Sequence, residues 1–285
     1  MKAPPLDYVR PATVAEALAY LKQGGDGAMV LAGGQSLGPM LNLRLARPTL
    51  LVDISRLAEL TRTATVNGTL AIGSAVIHAD IEDGKAPDPC HGLLTETAAT
   101  IAYRAVRNRG TIGGSLSHAD PVGDWCPVLM ALGASVVAAS NAGERTIAVA
   151  DFVEGVLTTS LRPGEIVTEI RIPRLAATAR WGRYKICRKP GKFADAIAVV
   201  VMDTAAVQSR VAVAMPNHRP VLLPQAAVHL LALKGADRDG LAAFRNAARA
   251  ELAALGASDA LQLHILSAAA MRAAADALNR KRPQP

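Results

Sequence analysis

Aromatic residues make up only 3% of this 285-residue chain, and cysteine occurs three times. No apolar run approaches the roughly 20 residues needed to cross a bilayer. Each shortage excludes something. Cys90, Cys126 and Cys187 are far apart and odd in number. They fit neither a disulfide framework nor a Cys-x-x-Cys metal or cluster motif. If this protein moves electrons, an iron–sulfur centre has to come from a partner. The six histidines show no metal spacing either. Neither Gly-x-Gly-x-x-Gly nor Gly-x4-Gly-Lys-Ser/Thr occurs, which removes the usual dinucleotide and P-loop fingerprints. The net charge of +7 is scattered, with one cluster at Arg280-Lys281-Arg282 that reads as a solvated tail. Basic residues are not interleaved with aromatics as in single-strand binders, so nucleic acid is not an expected partner. Met1-Lys2-Ala3-Pro4-Pro5 leads into no long apolar segment. A secretory signal is therefore not expected, and a cytoplasmic protein is.

What the chain does have is alanine and two glycine-dense stretches. Hydrophobic residues make up 51%, many of them alanine, which suits close-packed helices and a sizeable core. The denser stretch runs from Arg107 to Trp125 and reads as a loop. Gly110, Gly113, Gly114 and Gly123 can take backbone angles closed to other residues, and Pro121 fixes one more turn. Thr111 and Ser115 place hydroxyls beside amides without bulky side chains, an arrangement able to wrap an oxyanion. A second pair, Gly33-Gly34 in Ala32-Gly33-Gly34-Gln35-Ser36, follows the apolar run Ala28-Met29-Val30-Leu31. Either pair alone is most simply a tight turn. Two pairs, each followed by a small polar donor and an apolar stretch, could hold the two phosphates of one dinucleotide, but do not by themselves name the ligand.

The remaining pattern is mixed helix and strand. Thr13 and Glu16 form a capping box for a helix that Gly24-Gly25 ends. Strands are expected over residues 28–32 and 50–54, with a helix over 37–45 between them. Asn67-Gly68 marks one hairpin and Asn141-Ala142-Gly143 a second. Helices are expected over 93–102 and from about Asp124 to Gly133, and a strand over 166–172. Three strand-like runs near 181–187, 196–203 and 210–215 then precede helices near 224–233, 240–254 and 259–279. Strands followed by helices argue for a small α+β unit.

Ala32 to Leu37, with Asn42-Leu43-Arg44-Leu45-Ala46 and Leu51-Val52-Asp53-Ile54, resembles the first flavin motif of one family. Arg107 to Ser115, with His118-Ala119-Asp120-Pro121, resembles its second. That family is the FAD-binding medium subunit of the molybdenum hydroxylases, typified by aerobic carbon monoxide dehydrogenase and xanthine dehydrogenase. The similarity runs through roughly residues 1 to 200. It implies an α+β fold: a two-part FAD-binding domain of the PCMH/vanillyl-alcohol-oxidase-like type followed by a small α+β C-terminal domain. The boundaries read as 1–176, with subparts of about 1–56 and 57–176, and 177–285. The resemblance further implies FAD on this chain, with the molybdopterin cofactor on a large subunit and [2Fe–2S] clusters on a small one. Electrons would pass through the FAD to an external acceptor, within a dimer of heterotrimers. The large subunit would choose the substrate, and quinone, cytochrome, oxygen and NAD are all open as acceptors. A stand-alone flavin oxidase or dehydrogenase, or a basic non-enzymatic binding protein, are the alternative readings.

The resemblance assigns cofactor contacts to Ala32, Gly33, Gly34, Gln35, Ser36 and Leu37, and to Thr111, Gly113, Gly114 and Ser115. Asp124 would meet the sugar or ribityl hydroxyls; otherwise it is a helix N-cap. Ile101, Ile166 and Val167 would line the adenine and ring ends, although by composition they are core. Lys185 would sit near the pyrimidine end of the ring, or else be a surface lysine. Phe193 would cover the ring. There the sequence departs from the family, because Lys-Pro-Gly-Lys-Phe-Ala replaces the usual acidic residue before the aromatic. Val213 to Asn217 likewise replaces a glycine-rich strand. Asp120 and His118 read as loop-shaping residues rather than acid or base. Arg44 and Arg47 fit either a phosphate or a solvated helix face.

Overall fold

The computed structural model describes residues 2–233, 235–257 and 259–280. Met1 and the Lys281-Arg282 part of the basic cluster lie outside them. Three main sheets follow one another along the chain. The first holds β1 (Asp7–Val9), β2 (Ala28–Leu31) and β3 (Leu50–Asp53) in the order β1-β3-β2, all parallel. Helices α1 (Val14–Gly24) and α2 (Leu37–Asn42) connect them. Thr13 caps α1 by accepting the Glu16 amide at 3.1 Å. The Glu16 carboxylate reaches back to the Ala12 amide at 2.7 Å, one residue before the expected one. Helix α2 stops at Asn42, short of the expected Leu45, and Arg44 turns the chain with φ 57°.

The second sheet has the order β4-β5-β10-β6-β7 and is antiparallel where its registers are defined. Its strands are β4 (Thr63–Val66), β5 (Thr69–Gly73), β6 (Ser135–Ser140), β7 (Gly143–Ala148) and β10 (Ile166–Pro173). The hairpin β4–β5 turns on Asn67 (φ 50°) and Gly68 (φ 73°), the paired positive angles that Asn-Gly supplies. Between β5 and β6 run α3 (His78–Glu82), α4 (Leu93–Ala99), α5 (Arg104–Arg107), α6 (Ile112–His118) and α7 (Trp125–Leu132). A short helix, α8 (Val149–Phe152), and the hairpin of β8 (Val153–Gly155) with β9 (Thr158–Thr159) fill the gap before β10.

The third sheet is a meander of β11 (Arg180–Ile186), β12 (Ala196–Asp203), β13 (Gln208–Met215) and β14 (His218–Leu222), backed by α9 (Pro224–Ala232), α10 (Arg238–Ala254) and α11 (Ala260–Asn279). Its fourth strand was not expected from the sequence. Pro220 hides it, yet proline is tolerated there because β14 is an edge strand. Alternate residues serve two cores. Ile197, Val199, Val201, Ala212 and Ala214 join a core shared with α7 and the second sheet. Ala198, Val200, Met202, Val211 and Val213 pack toward α9–α11. Strand β11 lies so close to α11 that a Cβ on Gly182 would collide with the carbonyl oxygen of Ala273.

Arg280 corrects the solvated-tail reading. Its guanidinium lies over the Trp181 ring at 3.4 Å from the centroid and pairs with Asp276 at 3.0 Å. Trp181 in turn donates to the His91 carbonyl at 3.1 Å, bridging β11 to the preceding part of the chain. Trp181 is 1% exposed. Trp181→Ala should therefore lower the unfolding free energy by about 3–5 kcal/mol in urea titrations.

His78 is the other buried polar brace. Its backbone amide donates to the Gly110 carbonyl at 2.9 Å, and its Nδ1 accepts from Trp125 Nε1 at 3.2 Å. Burial, helped by nearby Arg107, pushes the imidazole down to about 4. The folded protein thus holds His78 neutral while an unfolded chain protonates it near its ordinary value of about 6.5. Stability is full above that value and falls with the pH toward 4, by about 3 kcal/mol in all. Urea midpoints measured between pH 7 and 4.5 should fall for the natural protein and fall less for His78→Gln.

Candidate functional site

The two glycine motifs meet. Gly33 lies so close to the second motif that a Cβ on it would run into the carbonyl of Arg109 and the Cα of Gly110. A Cβ on Gly114 would lie 3.6 Å from that of Ala32. Ala32 to Leu37 and Thr111 to Ser115 thus form one surface at the ends of β2 and α5.

The second motif is not the loop its composition suggests, because residues 112–118 form helix α6. Thr111 caps it, its Oγ1 accepting from the Gly114 amide at 3.0 Å. The glycines serve close packing here, since a Cβ on Gly113 would collide with Ser74. The Ile112 amide donates to Val76 O at 3.1 Å, Gly113 to Ser74 O at 2.9 Å and Ser115 to Thr111 O at 3.0 Å. Those amides are spent within the chain. The Gly113, Gly114 and Ser115 amides, expected to wrap an anion, thus already have acceptors within the chain.

The first motif behaves differently. Among the described residues, the amides of Gly33, Gly34, Gln35, Ser36 and Leu37 find no backbone or side-chain acceptor, while Gly38 donates to Gly34 O at 2.9 Å. Gly34 has φ 69°, which lets successive amides point the same way. Gln35 folds its side-chain amide onto the Gly33 carbonyl at 3.0 Å. The open nest is here. Ser74, beneath Gly113, adds a buried Oγ without a partner among the described residues.

A second group of residues gathers at the start of α7. Ser115 Oγ lies about a van der Waals contact from the Cβ position of Gly123, next to Asp124. Asp124 occupies the N-cap position but makes no capping bond. Its carboxylate instead takes Arg183 Nη2 on Oδ1, and Lys185 Nζ at 3.0 Å and 2.8 Å on its two oxygens. Lys185 also donates to the Thr100 carbonyl at 3.4 Å, beside Ile101. Lys185 is therefore no surface lysine. Ile101 gives its own carbonyl to Arg107 Nη1 at 2.9 Å, and Arg107 is clamped in turn by Glu82 at 2.7 Å and 3.0 Å. Burial pushes the Arg183 guanidinium below its ordinary range, against the pull of Asp124.

Ile166 and Val167 are 2% and 4% exposed, so their side chains are core. Phe193 stands 78% exposed on the turn between β11 and β12, covering nothing. Gly191 in that turn packs on Tyr103, whose ring would lie 2.8 Å from an added Cβ. Asp120 shapes its turn, accepting from the Val122 amide at 2.9 Å. His118 ends α6 and makes no side-chain hydrogen bond among the described residues, so it does not brace the loop as expected. Arg44 and Arg47 are exposed and bond backbone carbonyls at 3.5 Å and 3.1 Å. Arg183 and Ser74 were missed from the sequence. The alternation of Trp181, Arg183 and Lys185 on one face of a strand was the available signal for Arg183. Among the described residues, no group of three or more His, Cys, Asp or Glu side chains is placed to hold a metal. No helix among them is long and apolar enough to cross a membrane.

Residues 4–175 match the model of the FAD binding domain in molybdopterin dehydrogenase. Over 212 residues the chain is 41% identical to the 6-hydroxypseudooxynicotine dehydrogenase complex subunit alpha of Paenarthrobacter nicotinovorans, covering 74% of this chain and 72% of that one. It is 37% identical over 224 residues to the carbon monoxide dehydrogenase medium chain of Hydrogenophaga pseudoflava, 78% of each. The fold superposes on a chain of carbon monoxide dehydrogenase from Hydrogenophaga pseudoflava with a TM-score of 0.88 at 32% identity, covering 97% of this chain and 98% of that one. The α+β fold agrees with that family. The chain belongs to the FAD-binding medium subunits of the molybdenum-dependent dehydrogenases and hydroxylases, an oxidoreductase family whose cofactor on this subunit is FAD.

Proposed function

We propose that this chain is the electron-transfer subunit of a three-part molybdenum hydroxylase. It takes electrons from a small [2Fe–2S] subunit and passes them to an external acceptor, while a large molybdopterin subunit oxidises the substrate. A cytoplasmic dimer of heterotrimers is the assembly that goes with this reading. The observation that carries the cofactor's place is the row of unspent amides from Gly33 to Leu37, abutting the second motif. Such amides suit a diphosphate, which brings charge to donors that the chain leaves free.

FAD would supply a centre that can take electrons one at a time from the [2Fe–2S] subunit and release them singly or as a pair to the acceptor. The chain's own residues bind and orient it. Ala32, Gly33, Gly34, Gln35, Ser36 and Leu37 hold the diphosphate through backbone N–H groups. Thr111, Gly113, Gly114 and Ser115 form the wall opposite, with the Thr111 and Ser115 hydroxyls and the Thr111 amide to offer. Asp124 accepts from hydroxyls of the cofactor, and Lys185 brings positive charge toward the ring. Ile101, Ile166 and Val167 contribute backbone and shape. Phe193, on its exposed turn, is the side chain free to close over the ring. Residues 1–176 form the cofactor-binding domain in this reading, and 177–285 supply Lys185 and Phe193 from the other side. No side chain is asked to act as nucleophile or general base.

Relatives in this family are named for substrates as different as 6-hydroxypseudooxynicotine and carbon monoxide. That breadth supports a substrate choice made on another subunit. The purified chain mixed with FAD should show a flavin absorbance spectrum after gel filtration. Gly114→Asp should not, because it sets a Cβ 2.8 Å from Thr111 Oγ1 and puts a negative charge against the diphosphate. Absence of FAD from the natural chain, even when purified with the products of neighbouring genes, would sink the reading. With those products present, a complex containing [2Fe–2S] clusters should co-purify, and dithionite-free substrate reduction of its flavin should be visible as bleaching.

A further inference from the structure

The seam between β11 and the start of α7 holds one charge more than the proposed function uses. Arg183 is the most deeply buried member of its cluster, with a side chain 3% exposed against 8% for Asp124 and 11% for Lys185. Burying a guanidinium is costly unless its donors are met. Packing does not ask for one, since the same face of β11 carries Trp181 in the apolar core. An apolar side chain of similar volume would fill the space without that cost. Yet Arg183 meets only one side-chain partner, Asp124 Oδ1, and its Nε finds none among the described residues. Lys185 takes both oxygens of the same carboxylate. Two cations on one anion leave these three side chains a net charge of +1, although the Glu96 carboxylate, which pairs with Arg280, also pulls on Arg183.

We propose that Arg183 is a positioning residue: it pins Asp124 from the buried side, so that Asp124 and Lys185 meet the flavin as one fixed unit of net positive charge. The inference rests on the FAD reading above. Arg183 touches no ligand itself and acts through Asp124. Without it, Asp124 keeps Lys185 alone, the pair is neutral, and the carboxylate is held from one side only. Both the affinity for FAD and the ease of reducing it should then fall, because a nearby cation favours the electron-rich form.

The test is a double-mutant cycle on the full chain, with Arg183→Met, Asp124→Asn and the two combined. FAD affinity is read by fluorescence quenching and the midpoint potential of the bound flavin by dye-coupled titration. Each single change should raise the Kd by about tenfold, the loss typical of one charged hydrogen bond. Arg183→Met should also move the potential to a more negative value. The double variant should bind no worse than the weaker single one, and Arg183→Lys should recover part of the potential shift. Additive losses, or a folded Arg183→Met variant with unchanged Kd and potential, would overturn the proposal. If Arg183→Met does not fold, Arg183→Gln is read on the same two axes with the same criteria. A natural chain that binds no FAD defeats the functional reading itself. Tight binding that ignores Arg183 defeats only this inference.

Discussion

The contact of Gly33 with the Arg109–Gly110 backbone is the constraint on which the site depends. It brings the first parallel sheet and the helical run of the second unit to van der Waals distance, and only a residue without a side chain allows it. From that contact follow the neighbouring places of Ala32 and Gly114 and the open amides of the first motif. The same junction is held from behind by His78, which bonds Gly110 through its amide and Trp125 through its ring. A neutral imidazole serves better there than a charged one, since an apolar core surrounds it.

Two kinds of buried polarity do different work in this molecule. The Glu82–Arg107 clamp and the Trp181–Arg280 stack tie neighbouring segments together and leave little charge over. The cluster of Asp124, Arg183 and Lys185 is different, because opposite charges there do not balance. Unbalanced charge in a place shielded from water acts over a longer distance than a surface pair does. Its location, between the start of α7 and strand β11, makes the docking of the third sheet part of the site's electrostatics.

Much of this was legible in the sequence, and the gaps have physical causes. The capping box at Thr13, the Asn67-Gly68 turn and the first three strand-like runs of the third sheet are local signals, so they could be read directly. Helix α6 was not, because two glycines normally speak against a helix. Its glycines answer to a tertiary demand, the backbone of Ser74 pressed against Gly113. The same blindness hid where the free amides lie. Both motifs look equally able to bind an anion as strings of letters, and only hydrogen-bond accounting separates them. The reading of Asp124 as more than a cap candidate came only from its resemblance, and the structure gives it no capping bond. Its partners, Arg183 and Lys185, are distant in the chain. Edge strand β14 was lost to Pro220, whose missing N–H matters little where no neighbour needs it.

Strand β11 also says something about how such a chain can change. Trp181, Arg183 and Lys185 look toward the N-terminal part, while Gly182 abuts α11 and Tyr184 and Ile186 pack beside it. Inserting or deleting one residue in this strand would exchange the two sets. Tryptophan and two cations would be driven into α11, and the collision-prone site of Gly182 would receive a side chain. The turn after Ile186 has no such bookkeeping, since most of its residues are exposed. Length variation among descendants of this sequence should accumulate in that turn and spare the strand beside it. The freedom of this seam to change in length is thereby confined to a few residues around Phe193.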